Sequence, residues 1–199
     1  MSFWERQGRI IHFSHIPKTG GSSIRNLLER NGWVEDKALR IINSHHNCYY
    51  EYKDNFIKAN PEISFAVVRN PFSRALSHLN QVRRAHCESG SKIDYNYVID
   101  VMFKTILPMQ GYHVDNNHWI PQYAFLNEKS KIFKQELMTP LFSFLKENNI
   151  VDIDDEIKIL NSHNKKMDYL EVFNDNSKNL IREFYYKDFE LFKYDPFEE

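Results

Sequence analysis

Apolar side chains recur along this chain in two alternating rhythms, short contiguous runs and an i, i+3, i+4 spacing. Over residues 9–30 (RIIHFSHIPKTGGSSIRNLLER), Ile10, Ile11, Phe13 and Ile16 form a run that Pro17 ends. Gly20 and Gly21 follow, and Ile24, Leu27 and Leu28 then return on one helical face. The stretch predicts a strand, a glycine loop and a helix opening near Ser22, with Asn31 and Gly32 as its stop. Residues 38–44 predict a second strand that runs into His45 and His46, and Asn47 is placed to cap a helix carrying Tyr49, Tyr52 and Phe56. Residues 63–68 (ISFAVV) predict a buried strand, and Asn70 with Pro71 opens a helix to about residue 85 with Phe72, Leu76 and Leu79 inward. Further on, Asp94 caps a helix bearing Val98, Val101, Met102 and Ile106, and residues 113–125 form a loop leading into a short helix. Residues 131–135 give a fourth strand, Thr139 and Pro140 start a helix, and residues 177–192 give a last one with Leu180, Phe184, Asp188 and Leu191 on one side. Alternating strands and helices with no repeat or linker predict one domain over residues 1–199, an α/β fold with a central parallel sheet of about four strands flanked by helices.

The glycine loop carries the chemistry. A helix start offers amides without helical partners and the positive end of a dipole, to which this loop adds the hydroxyls of Ser22 and Ser23 and the Lys18 ammonium. Residues 6–28 contain no Asp or Glu but do contain Arg6, Arg9, Lys18 and Arg25, so an anion site is expected rather than an ordinary serine-capped turn. The lysine precedes the glycines, which departs from GxxxxGK[ST] and argues against an ordinary ATP or GTP enzyme. Residues 63–87 are also free of acids and hold four arginines. Arg69, at a strand end, and Ser77, two turns into a helix, could converge on one anion. His45 and His46 stand where open α/β sheets bind ligands.

Charge and composition narrow the partners. The formal net charge of −1 gives no global signal for nucleic acid or a membrane surface, and no run approaches the length of a membrane span. Acids accumulate late, thirteen against seven Lys or Arg over residues 151–199, which leaves positive charge enriched around the two acid-free stretches. Cys48 and Cys87 have no CxxC spacing, and the N-terminal residues lack the apolar core of a signal peptide. A cytoplasmic protein is expected. His113, Asp115 and His118 fit no standard ligand spacing, so no metal site is assigned.

Four blocks in order, HIPKTGGSSI (15–24), VRNPFSRALS (68–77), NHWIPQYAFL (117–126) and FYYKDFELFKY (184–194), resemble the sulfotransferases that use 3′-phosphoadenosine 5′-phosphosulfate (PAPS), especially the carbohydrate O-sulfotransferase branch. The resemblance implies the P-loop NTPase-like sulfotransferase fold. It also implies that Lys18, Thr19, Gly20, Gly21, Ser22 and Ser23 hold the 5′ end of the cofactor and that Arg69 and Ser77 clamp its 3′-phosphate. A histidine after the second strand is that branch's usual base; His46, with Glu51 in an H-x(4)-E pattern, is the choice and His45 the reserve. Lys18 would stabilise charge on the transferring group, and His118, Trp119 and Gln122 would face the acceptor, a glycan or a small molecule. Tyr49, Tyr50, Tyr112, Trp119 and Tyr123 could stack on sugar faces. Two other readings compete: a P-loop-like nucleotide kinase or hydrolase, and a non-catalytic domain that binds adenosine 3′,5′-bisphosphate (PAP).

Overall fold

A computed structural model describes residues 2–36, 46–86, 93–111, 114–152 and 167–197. The expected strand at 38–44, and His45 with it, lies outside the described residues. The chain divides into two compact units, Met1–Val68 with Ala124–Ser162, and Arg69–Tyr123 with His163–Glu199. No helix among the described residues is long and apolar enough to cross a membrane.

The first unit is a five-stranded sheet with helices on its faces. The strands are β1 (Ser2–Arg6), β2 (Arg9–Ser14), β3 (Val34–Glu35), β4 (Ile63–Val68) and β5 (Ser130–Lys134), in the order β3-β1-β2-β4-β5. β2, β4 and β5 are parallel, whereas β1 runs antiparallel to β2 and to β3. Among the described residues three expected strands are present as β2, β4 and β5, two further ones, β1 and β3, are added, and the sheet is mixed rather than wholly parallel. The extra strand β1 exists because Gln7 and Gly8 both take positive φ (54° and 79°), the geometry of a two-residue hairpin turn, so that Arg6 pairs with Arg9. Successive β1 residues then face opposite sides. Trp4 joins a core of Ile11, Phe13, Phe65 and Val67 that α1 (Gly21–Arg30) covers with Ile24, Leu27 and Leu28, and α6 (Met138–Glu147) with Leu141 and Leu145. Phe3 packs on the other side against Tyr52 and Phe56 of α2 (Tyr49–Ala59). Helix α2 is capped at Cys48, one residue later than expected, because the Glu51 carboxylate reaches back to accept the Cys48 N–H at 2.5 Å.

The second unit is helical. Helix α3 (Pro71–His86) opens as the sequence predicts, with Asn70 Oδ1 accepting the amides of Phe72 (2.9 Å) and Ser73 (3.3 Å). Its inward residues Phe72, Leu76 and Leu79 share a core with Tyr95, Ile99, Phe103, Trp119, Ile181, Tyr185 and Phe189. Helix α4 (Tyr95–Val101), capped by Asp94, continues through a π turn (Met102–Ile106) into α5 (Leu107–Gln110). The π turn absorbs Pro108, which has no N–H for a regular helical bond. After the short α7 (Tyr169–Val172), the expected single helix at 177–192 is two, α8 (Asp175–Phe184) and α9 (Tyr186–Phe192), broken at Tyr185 (φ −99°, ψ 22°). The buried Tyr185 hydroxyl donates to the Trp119 carbonyl at 2.8 Å, and α9 buries Asp188, Phe189 and Phe192 while Leu191 is exposed.

Under α2 the sheet carries one buried polar knot. His12 Nδ1 lies 2.9 Å from Ser64 Oγ, to which Asn127 Nδ2 also donates at 2.9 Å. Full burial holds the His12 imidazole well below its ordinary pKa of 6.5. Above pH 6.5 neither state takes the proton; below it the unfolded chain does and the folded chain does not, so stability falls as pH falls, by up to about 1.4 kcal/mol per pH unit. Between pH 6.5 and 5 the wild type should lose more stability, by urea denaturation, than His12→Gln; parallel losses would show that His12 does not set the acid limit.

Candidate active site

The loop after β2 is held from within. Ile16 N donates to Ser14 O at 3.0 Å, and the buried Thr19 hydroxyl donates to Ile16 O at 3.0 Å. Thr19 therefore spends its side chain on the loop itself and leaves its backbone for a ligand. Lys18 (φ 69°) and Gly20 (φ 92°) both take left-handed backbone, strain that an L residue with a Cβ carries at about 1–2 kcal/mol. The first helical bonds of α1 run from Ser23 N (3.0 Å) and Ile24 N (3.3 Å) to Gly20 O, so the amides of Gly21 and Ser22 precede the helical ladder. Ser22 is exposed, Ser23 is mostly buried, and the first turn holds no acid. Backbone amides, the helix dipole and Lys18 are thus combined as an anion site requires.

Two histidines flank this helix start. The His15 ring lies over Gly21 so closely that a Cβ there would sit 2.0 Å from its Cδ2 and Nε2 atoms. The His46 ring packs edge-on against His15 with centroids 4.7 Å apart, and His46 Nδ1 lies 3.2 Å from the His15 carbonyl oxygen. A carbonyl has no proton to give, so Nδ1–H is the donor, and in the neutral ring Nε2 keeps the lone pair. His15 was not singled out from the sequence; its place one residue after β2 was the available signal. Glu51 serves as the α2 cap, its carboxylate accepting the Cys48 N–H.

The charge pattern of residues 6–28 is only partly spent on the loop. Arg6 and Arg9 bind carbonyls of Asn149 and Asn148 beyond α6, Arg9 also pairs with Glu62 at 2.7 Å, and Arg25 pairs with Glu35 at 3.0 Å. Lys18 is the cation placed in the loop.

In the second unit, Arg69 directly precedes the α3 cap, half-buried, and its backbone is gripped by Gln122. Arg69 N–H donates to Gln122 Oε1 at 2.9 Å, and Gln122 Nε2 donates to Arg69 O at 2.8 Å. Gln122 is fully buried, as is Asp188, whose carboxylate accepts Gln122 N–H at 2.8 Å and Tyr123 N–H at 3.0 Å. Burial pushes the Asp188 carboxyl above its ordinary pKa, against the pull of the Gln122 and Tyr123 amides and of Arg74. Ser77 lies half-buried on α3, and the next residue, His78, pairs with Asp115 at 2.5 Å and stacks on His118 with centroids 4.6 Å apart. Burial and the neighbouring His78 lower the His118 pKa to about 4, so its ring is neutral near neutrality. Trp119 is core, edge-on to His78 and Phe103. Sequence reasoning assigned Gln122 to the acceptor and passed over Arg74, His78 and Asp188 as site residues; their partners lie too far along the chain for spacing to reveal them.

Parallel strands, a glycine loop with its lysine ahead of the glycines, and a helix start without acids define an α/β protein whose loop geometry suits an anion. The chain belongs to the sulfotransferase family: the model described as "Sulfotransferase family" matches residues 3–195. Comparison with curated proteins and with solved structures gave no significant match.

Gly21→Ala tests how tightly the helix start is built. Alanine should favour a helix interior by up to about 1 kcal/mol, yet here the methyl meets the His15 ring, and a net loss of about 1–3 kcal/mol is expected. An unchanged or raised denaturation midpoint would show that His15 moves aside freely.

Proposed function

We propose that the chain transfers the sulfuryl group of PAPS to an acceptor hydroxyl on a carbohydrate, glycoconjugate or small molecule, in the cytoplasm, as one sulfotransferase domain. The family match extends over residues of both units and supports treating residues 1–199 as one catalytic domain. The observation that carries the reading is the loop from Lys18 to Ser23 with His46 set beside it through His15.

The donor set fits the proposed cofactor. Unladdered amides, an exposed serine hydroxyl and a lysine without a neighbouring first-turn acid suit a phosphosulfate end. Arg69 and Ser77 are assigned to the 3′-phosphate. When bound, PAPS supplies an activated sulfuryl group and a phosphate leaving group. His46 Nε2, its tautomer fixed by the Nδ1–H bond to His15 O, takes the acceptor hydroxyl's proton, an effect typically worth about 10²–10⁴-fold. Lys18 and the amides of α1 offset the negative charge that builds in the loop during transfer. His45 remains the reserve base. On the acceptor side we assign His118, Trp119 and Gln122, of which Trp119 and Gln122 are buried; the exposed Tyr50 is available to stack on a sugar face.

Thermal melting with PAP and no added metal should raise Tm by roughly 5 °C or more at a hundredfold excess over Kd, and ATP with magnesium should do so much less. Equal stabilisation by the two would overturn the PAPS assignment. PAP binding without transfer of labelled sulfate to any acceptor in an extract screen would favour the non-catalytic reading.

His46→Ala separates base from binding. PAP affinity should stay within about twofold while turnover falls by roughly 10²-fold or more. Full activity in His46→Ala with loss in His45→Ala would move the base by one residue.

A further inference from the structure

Arg69 occupies a junction with no ladder of its own. It follows the last residue of β4 and precedes the cap of α3, so neither strand nor helix takes its N–H and C=O. Buried or half-buried peptide groups must find partners, and here one side chain serves both. Gln122 faces the Arg69 peptide groups as a neighbouring strand would, its oxygen toward the N–H and its nitrogen toward the C=O, at 2.9 and 2.8 Å. A carboxamide does both, whereas a carboxylate cannot donate and an aliphatic side chain can do neither.

The Gln122 backbone is fixed in its turn. The two oxygens of Asp188 take the consecutive amides of Gln122 and Tyr123, at 2.8 and 3.0 Å, and all of Asp188 and Gln122 is shielded from water. A rigid path therefore runs from α9 through residues 122–123 to the backbone of Arg69. An arginine whose peptide groups are pinned at both ends presents its side chain from one backbone geometry, and selectivity for a particular phosphate depends on that direction as much as on the charge. We infer that Gln122 and Asp188 are positioning residues for Arg69 and set the preference for a nucleotide bearing a 3′-phosphate. The inference rests on the assignment of Arg69 to the 3′-phosphate of the proposed cofactor.

The readout is the ratio of affinities for PAP and for adenosine 5′-monophosphate, which differ by the 3′-phosphate, measured by calorimetry on the full chain. The wild type should prefer PAP by roughly tenfold or more, the span of a charge-assisted hydrogen bond, and Arg69→Ala should remove that preference. Gln122→Leu should reduce it to within about threefold of the Arg69→Ala value, leave the monophosphate affinity within about twofold, and add little further loss in the double variant. If Gln122→Leu keeps the wild-type ratio, or weakens both ligands alike, the positioning role is overturned. Should Gln122→Leu fail to melt cooperatively, Asp188→Asn decides: a fall of about threefold or more in the ratio is expected, because the NH2 that replaces one oxygen is a donor and cannot accept the N–H that oxygen took, and an unchanged ratio overturns the inference. A wild type without preference for PAP would instead remove the 3′-phosphate assignment itself.

Discussion

The parallel pairing of β2 with β4 is the interaction on which the first unit depends. Its register, Ile11 with Ile63 through Ser14 with Ala66, puts Ile11, Phe13, Phe65 and Val67 into the core under α1 and turns His12 and Ser64 toward α2. Parallel strands end on the same edge of the sheet, where α/β folds bind ligands. The loop of residues 15–20 therefore leaves β2 on the edge where β4 also ends. Pairing with β5 continues past the strand there, with Gln135 N donating to Val68 O at 2.8 Å. A slip of one residue in β2 would expose its apolar set and bury the other face, and would carry Gly20 and Gly21 out of the conformation that opens α1.

Local signals were legible wherever the partner lies within a few residues. Asn70 before Pro71, Asp94 before Tyr95 and the Gly20–Gly21 pair each state their structure through capping or φ, and the structure matches them. The reading slipped where a distant group decided the outcome. Cys48 displaced Asn47 as the α2 cap because Glu51 was in reach. One helix became α8 and α9 because Tyr185 reaches the Trp119 carbonyl, 66 residues away in the chain. Strand β1 was missed because both of its faces are covered, which erases the alternation of a half-buried strand; its turn, Gln7–Gly8, was the remaining cue.

The candidate site divides along the same line. Lys18, the glycines and the serines were legible as a loop because a helix start is a local object, whereas His46 was named from a strand that lies outside the described residues. The charge count was a weaker guide. Arg6 and Arg9 donate to carbonyl groups beyond α6, bonds that need residues about 140 positions away and leave no mark on their own neighbourhood. An acid-free stretch thus records where acids are unwelcome more reliably than where cations act.

Asp188 shows how a costly residue can be informative. A carboxylate with no exposed surface loses its hydration, and its raised pKa says that the donors around it do not fully compensate. Stability alone would favour an apolar residue at that point of α9, since well-packed hydrophobic replacements of buried charges are often neutral or better. What an apolar residue cannot do is accept two consecutive amides. The shape of the carboxylate matches the amides of Gln122 and Tyr123, and that match fixes a peptide whose own side chain fixes another. The free energy given up at Asp188 is the cost of direction, and direction is what the role proposed for Arg69 needs.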